Sequence, residues 1–113
     1  MTQYELEVRE NDDPGVVLAY AVGELDLTNA PDLEQRLEEL RSNTATLVLD
    51  LNGVSFVDSA ALHALFRVAR VNERFGIVLE SASPIARTFG IVGLDKVARV
   101  RPSAEELLEE LNS

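Results

Sequence analysis

Residues 47–65 are LVLDLNGVSFVDSAALHAL. Leu47-Val-Leu-Asp-Leu51 is a nearly continuous apolar run, the pattern of a central strand buried on both faces. After Ser59 the period changes. Leu62, Leu65 and Ala69 recur at helical spacing, which predicts a helix from about Ser59 to Arg74, with Gly76 just beyond its end. Between the two patterns stand Asp58 and Ser59, small polar residues that join a buried strand to a helix N-terminus. A strand feeding directly into a helix is the unit from which α/β domains are built.

Working outward, Tyr4, Leu6 and Val8 alternate with polar residues and predict a half-buried strand. The cluster Asn11-Asp-Asp-Pro-Gly15 predicts a turn. Val16 to Val22 predicts a second strand, so the first two form an antiparallel hairpin. Pro31 suits the first turn of a helix, where its missing N–H costs nothing. Leu33, Leu37 and Leu40 follow at helical spacing, with Glu34, Glu38, Glu39 and Arg41 facing water.

Beyond the central stretch, Ile77 to Leu79 predicts a buried strand, and Ser83-Pro84 opens a third helix with Ser83 as N-cap. Gly90 or Gly93 ends that helix. Val97 to Val100 predicts a short edge strand, and Ser103-Ala-Glu-Glu106 is a capping box that starts a helix to Leu111. The order is β-β-α-β-α-β-α-β-α. It predicts one α/β domain over residues 1–113, a mostly parallel mixed sheet with an N-terminal hairpin and about four packed helices.

Composition narrows the function classes. The chain has no cysteine and one histidine, His63, which excludes disulfides, thiolate zinc sites, cysteine nucleophiles and histidine-rich metal sites. No apolar run approaches the roughly 20 residues of a membrane span. The N-terminal MTQYELEVRENDD lacks the apolar core of a signal peptide, so a cytoplasmic protein is expected. A net charge of −10 argues against a general affinity for nucleic acid or anionic membrane and suits a basic patch on a partner protein. Solubility is the plainer meaning of the same charge.

In open parallel sheets function collects beyond the carboxyl ends of the strands. Two such places are Gly23-Glu-Leu-Asp-Leu-Thr28 and Asp58-Ser59. Ser59 has neither glycine of a nucleophile elbow, and its one candidate base, His63, follows a helical turn later. The only lysine is Lys96, and no glycine-rich phosphate loop accompanies it. No catalytic residue is expected. Glu24, Asp26 and Asp58 are candidate carboxylates for a divalent ion, but carboxylates at strand ends are common without one, and no metal or cofactor is expected.

The non-catalytic readings fit better. N–H groups at the start of the second helix stabilise an anion, including a phosphate placed on a side chain there. Against that stands simple capping of the helix by Asp58 or Ser59. His63, Arg67, Arg70 and Arg74 follow at spacings of four, three and four, a basic stripe on one helix face. The stripe is either a docking surface or an ordinary solvated face, paired with Glu73 or with the C-terminal acids.

Together these stretches resemble the STAS domain, in particular the bacterial anti-sigma factor antagonists. Gly23-Glu-Leu-Asp-Leu-Thr-Asn-Ala30 is similar to the family's first signature. Leu49-Asp-Leu-Asn-Gly-Val-Ser-Phe-Val-Asp-Ser59 with Ala60-Ala61-Leu62 resembles the central one. Ser83-Pro-Ile-Ala-Arg-Thr-Phe89 with Gly93-Leu-Asp95 resembles the third. The resemblance implies a STAS-like fold that works by docking. The unphosphorylated antagonist binds an anti-sigma factor of the GHKL kinase type and so frees a sigma factor, and the kinase reverses this by phosphorylating the antagonist.

The usual family motif at the helix start is Asp-Ser-Ser/Thr-Gly, with the second hydroxyl as acceptor. That position is Ala60 here, and Ala61 replaces the glycine. The resemblance therefore implies an antagonist without the usual phospho-switch, with Ser59 as an alternative acceptor. The implied contact surface comprises Asp26, Thr28, Asp58, Ser59, Ala60, His63 and Arg67, in a monomer or weak dimer. Asp58-Ser59-Ala60 is also similar to the Asp-Thr-Ala-Gly of STAS subunits in lipid-trafficking ABC transporters. An accessory transporter subunit and a stressosome-like scaffold are the alternatives.

Overall fold

The structure is a computed structural model, and it describes residues 3–10, 15–71 and 74–111. Among these residues the elements are strands β1 (Tyr4–Glu10) and β2 (Val16–Leu25), helix α1 (Ala30–Ser42), strand β3 (Thr46–Val57), helix α2 (Ser59–Arg70), strand β4 (Phe75–Val78), helix α3 (Pro84–Val92), a 3-10 turn (Leu94–Lys96), strand β5 (Arg99–Arg101) and helix α4 (Ala104–Leu111). The five strands form one sheet in sequence order. β1 pairs with β2 antiparallel, and the other pairings are parallel.

Strand alternation sorts the side chains onto two faces. One register row runs Val8, Ala19, Leu49, Ile77, Val100 across the sheet. From Ala19 onward it faces the main core, built with Leu33 and Leu37 of α1, Leu62 and Leu65 of α2 and Phe89 of α3. On the opposite face Val48 and Val78 pack against Leu107 and Leu111 of α4. Three helices thus cover one face and a single helix covers part of the other.

The hairpin and the alternating α/β order are as the sequence predicts. Most of the turn cluster, residues 11–14, lies outside the described residues. β2 continues past Val22 to Leu25, and β3 continues past Leu51 to Val57. The two stay paired through register shifts between Tyr20 and Val22 and between Gly23 and Glu24. Within β2, Gly23 has a φ of +112°, and a Cβ there would meet the Gln3 carbonyl oxygen at 2.5 Å.

α2 ends at Arg70 with Val71 as C-cap, four residues before the predicted end. Gly76 does not stop that helix. It lies in β4, where a Cβ would meet both Leu107 methyls at 2.6 Å, so its bareness lets α4 approach the sheet. Ser83 caps α3 by accepting the Ile85 N–H at 3.1 Å, and Gly93, with φ +82°, ends it, while Gly90 stays inside. β5 begins at Arg99 rather than Val97, because the N–H groups of Val97 and Ala98 both close the preceding turn on the Leu94 carbonyl. Ser103 caps α4 from outside the helix, its hydroxyl accepting the Glu106 N–H at 3.2 Å.

Candidate functional site

The carboxyl ends of β2 and β3 lie side by side, and each turns into a helix. The β2–α1 junction is held by Asn29, only 6% exposed. Its Oδ1 accepts the Asp26 N–H at 3.0 Å, and its Nδ2 donates to the Glu24 carbonyl at 2.8 Å. Asp26 Oδ1 accepts the Thr28 N–H at 2.9 Å and its hydroxyl at 2.5 Å. Asp26 and Thr28 thus hydrogen-bond to each other within the turn.

At the β3–α2 junction one carboxylate does two things. Asp58 Oδ1 accepts the Ala61 N–H at 2.9 Å and caps α2, while Oδ2 accepts the Leu27 N–H at 2.9 Å. The Asp58 N–H in turn donates to the Leu25 carbonyl at 3.0 Å. Capping therefore falls to Asp58, and Ser59 stands exposed in the first helical turn. Two consequences follow for ion binding. The Asp58 oxygens are already directed at N–H donors, and among the described residues no group of three or more His, Asp or Glu side chains is placed to hold a metal ion.

Ala60, His63 and Arg67 rise along α2 and form one wall of a shallow cleft of about 260 Å³; Leu27, Pro31 and Glu34 form the other. Arg67 is fixed there by Glu34, which accepts its Nη2 at 2.7 Å and its Nε at 3.0 Å. That hydrogen bond pushes the Arg67 guanidinium above its ordinary pKa, more than burial lowers it. Leu27, 72% exposed, stands at the rim. The surface thus offers an apolar knob, an imidazole and a buttressed ion pair around a half-buried Ala60. The N–H groups of the first helical turn lie beside it.

The predicted basic stripe is broken. His63, Arg67 and Arg70 share α2, and Arg70 lies 5.9 Å over the Phe66 ring. Arg74 is off the helix. It donates to Thr46 Oγ1 at 2.8 Å and to the Leu111 carbonyl at 2.6 Å, tying the start of β3 to the end of α4. The partner of Arg67 is Glu34, not a C-terminal acid, and Glu73 lies outside the described residues. Sequence patterns missed Asn29, Glu34 and Pro31 as parts of this site. The signal for Asn29 was its place just before Ala30-Pro31, a helix-entry position.

Among the described residues no helix is long and apolar enough to cross a membrane. In overall shape the chain is similar to an anti-sigma factor antagonist from Mycobacterium paratuberculosis, with 27% identity and a TM-score of 0.85 over 98% of this chain and 96% of that one. It is also similar to the anti-sigma factor antagonist SpoIIAA in its unphosphorylated form, with 18% identity and a TM-score of 0.72 over 96% of each chain. A sulfate transporter family protein from Wolinella succinogenes shares the fold, at 17% identity and a TM-score of 0.71 over 91% of this chain and 89% of that one. The family model of the STAS domain matches residues 5–107, and the chain belongs to the STAS domain family.

Proposed function

We propose that this protein is an anti-sigma factor antagonist without enzymatic activity. It docks through the start of α2 and the adjoining β2–α1 junction onto an anti-sigma factor of the GHKL kinase type in the cytoplasm. The sigma factor that the anti-sigma factor held is then released for transcription. The observation that carries this reading is the likeness to the mycobacterial antagonist, which spans 98% of this chain at a TM-score of 0.85. The α2 surface supports it: Ala60 lines a cleft whose rim is exposed and chemically mixed, suited to a protein partner.

Ala60 has no hydroxyl, so the complex is not reversed by phosphorylation at that position. Release then depends on the amount of antagonist or on a further protein. The test is affinity capture of the tagged chain from its native cells, with the partner identified by mass spectrometry and then measured with purified components. A GHKL-type anti-sigma factor should bind, and Ser59→Glu should weaken it by about tenfold or more, because it adds a charge at the interface. Recovery of a transporter ATPase, with no anti-sigma factor bound, overturns the proposal in favour of a transporter accessory subunit.

A further inference from the structure

The sheet face opposite α1, α2 and α3 is covered by α4 only around Val48 and Val78. Among the described residues that cover also reaches Leu18 of β2, and beyond it β1, the later part of β2 and the second half of β3 stand open. Two large apolar side chains are exposed there, Val22 at 51% and Phe56 at 49%. The register shift after Gly23 skips Ser55 and pairs Phe56 with Glu24 and Val57 with Leu25, so alternation turns Phe56 away from the core that Leu25 and Val57 reach. The registers set carboxylates against these groups: Glu5 opposite Val22, Glu7 opposite Tyr20, Glu24 opposite Phe56.

The same face shows how it holds a guanidinium. Arg9 lies 5.0 Å over the Tyr20 ring and pairs with Glu7 at 2.9 Å. A planar, weakly hydrated cation gains from both the aromatic face and the carboxylate. Phe56 and Glu24 repeat that combination one strand over. Among the described residues no arginine or lysine of the chain stacks on Phe56 or pairs with Glu24.

We propose that Phe56 and Glu24, with Val22 beside them, form a docking site for an arginine side chain carried on an extended segment of a partner protein. Charge complementarity selects this occupant. The chain carries −10, so a second copy brings repulsion to a face already rich in carboxylates, whereas a basic segment is attracted. The site lies on the sheet face opposite the one that α2 covers, although Glu24 also borders the β2–α1 junction through its carbonyl.

The test is an amide NMR titration of the full chain with the capped tripeptide acetyl-Arg-Leu-Arg-amide, repeated with lysine in place of arginine. Shifts are expected at Val22, Glu24 and Phe56, with the lysine peptide weaker. Phe56→Leu keeps an apolar side chain but removes the ring. It and Glu24→Gln should each weaken the arginine peptide about two- to fivefold. Both variants lie on an exposed surface, and their amide spectra report whether the fold is intact. Equal shifts at Glu105, Glu106 and Glu109 of α4 would mean diffuse attraction and overturn the assignment. So would movement of the Val22 and Phe56 amides on concentrating the chain without peptide, which would mean that a second copy covers the face.

Discussion

The two strand-to-helix junctions do the same job with opposite economies. At β2–α1, Asn29 is the residue before the helix, yet its side chain makes no cap. It turns back into the junction, buried, and satisfies the Asp26 N–H and the Glu24 carbonyl. At β3–α2, Asp58 is partly exposed and does cap its helix, with its second oxygen on the Leu27 N–H of the other junction. One junction is sealed from inside by a neutral amide. The other is fastened from outside by a charge. The second arrangement leaves Ser59 exposed and Ala60 half-buried beside a backbone held by hydrogen bonds to Asp58, as the proposed docking requires.

This difference predicts a ranking. Asn29→Ala strands a donor and an acceptor where water does not enter freely, and it should cost about 2–4 kcal/mol of unfolding free energy. Asp58→Ala removes a cap on the buried Ala61 N–H and a tie to the N–H of the exposed Leu27, and it should cost about 1–2 kcal/mol. Urea unfolding of the two variants checks the order. A larger loss at Asp58 than at Asn29 would mean that the charged fastening, not the buried amide, holds the two junctions together.

How far the sequence carries this picture depends on the range of the interaction involved. β3 and α2 were legible in residues 47–65 because each is a local period, and Asp58 was legible as a candidate cap because capping is local too. The length of β3 was not, because Asn52-Gly53 resembles a break in a strand. Only pairing with β2 shows the irregular register that absorbs them. Gly76 looked like a helix stop because glycine serves both ends. Its actual reason, the Leu107 methyls, lies on α4, far along the chain. The same holds for the site. Arg67 finds Glu34 and Arg74 finds Leu111 across separations of 33 and 37 residues, and no helical period reports either contact. The basic stripe was therefore a correct spacing on a helix that ends too soon.

The smallest predicted effect lies away from both junctions, where β5 meets α4. Arg101 holds Glu110 through paired hydrogen bonds, the longer at 2.7 Å, and Arg99 approaches the same carboxylate at 3.4 Å. The hydrogen bond from Arg101, chiefly, keeps the Glu110 carboxyl below its ordinary pKa. A carboxyl depressed in the folded state binds its proton more weakly there than in the unfolded chain. Its contribution is therefore complete above the unfolded value and is lost as pH falls through the folded value. Glu110→Gln should be slightly less stable than the parent at neutral pH, and the two should converge as pH falls below about 4. Because solvent still reaches this half-buried pair and screens it, the gap should be smaller than for either junction variant. Urea midpoints measured in parallel across that range decide it. A gap that stays constant with pH would show that Glu110 acts by packing on β5 rather than by charge, and that the α4 side is fastened as β2–α1 is, without a titrating group.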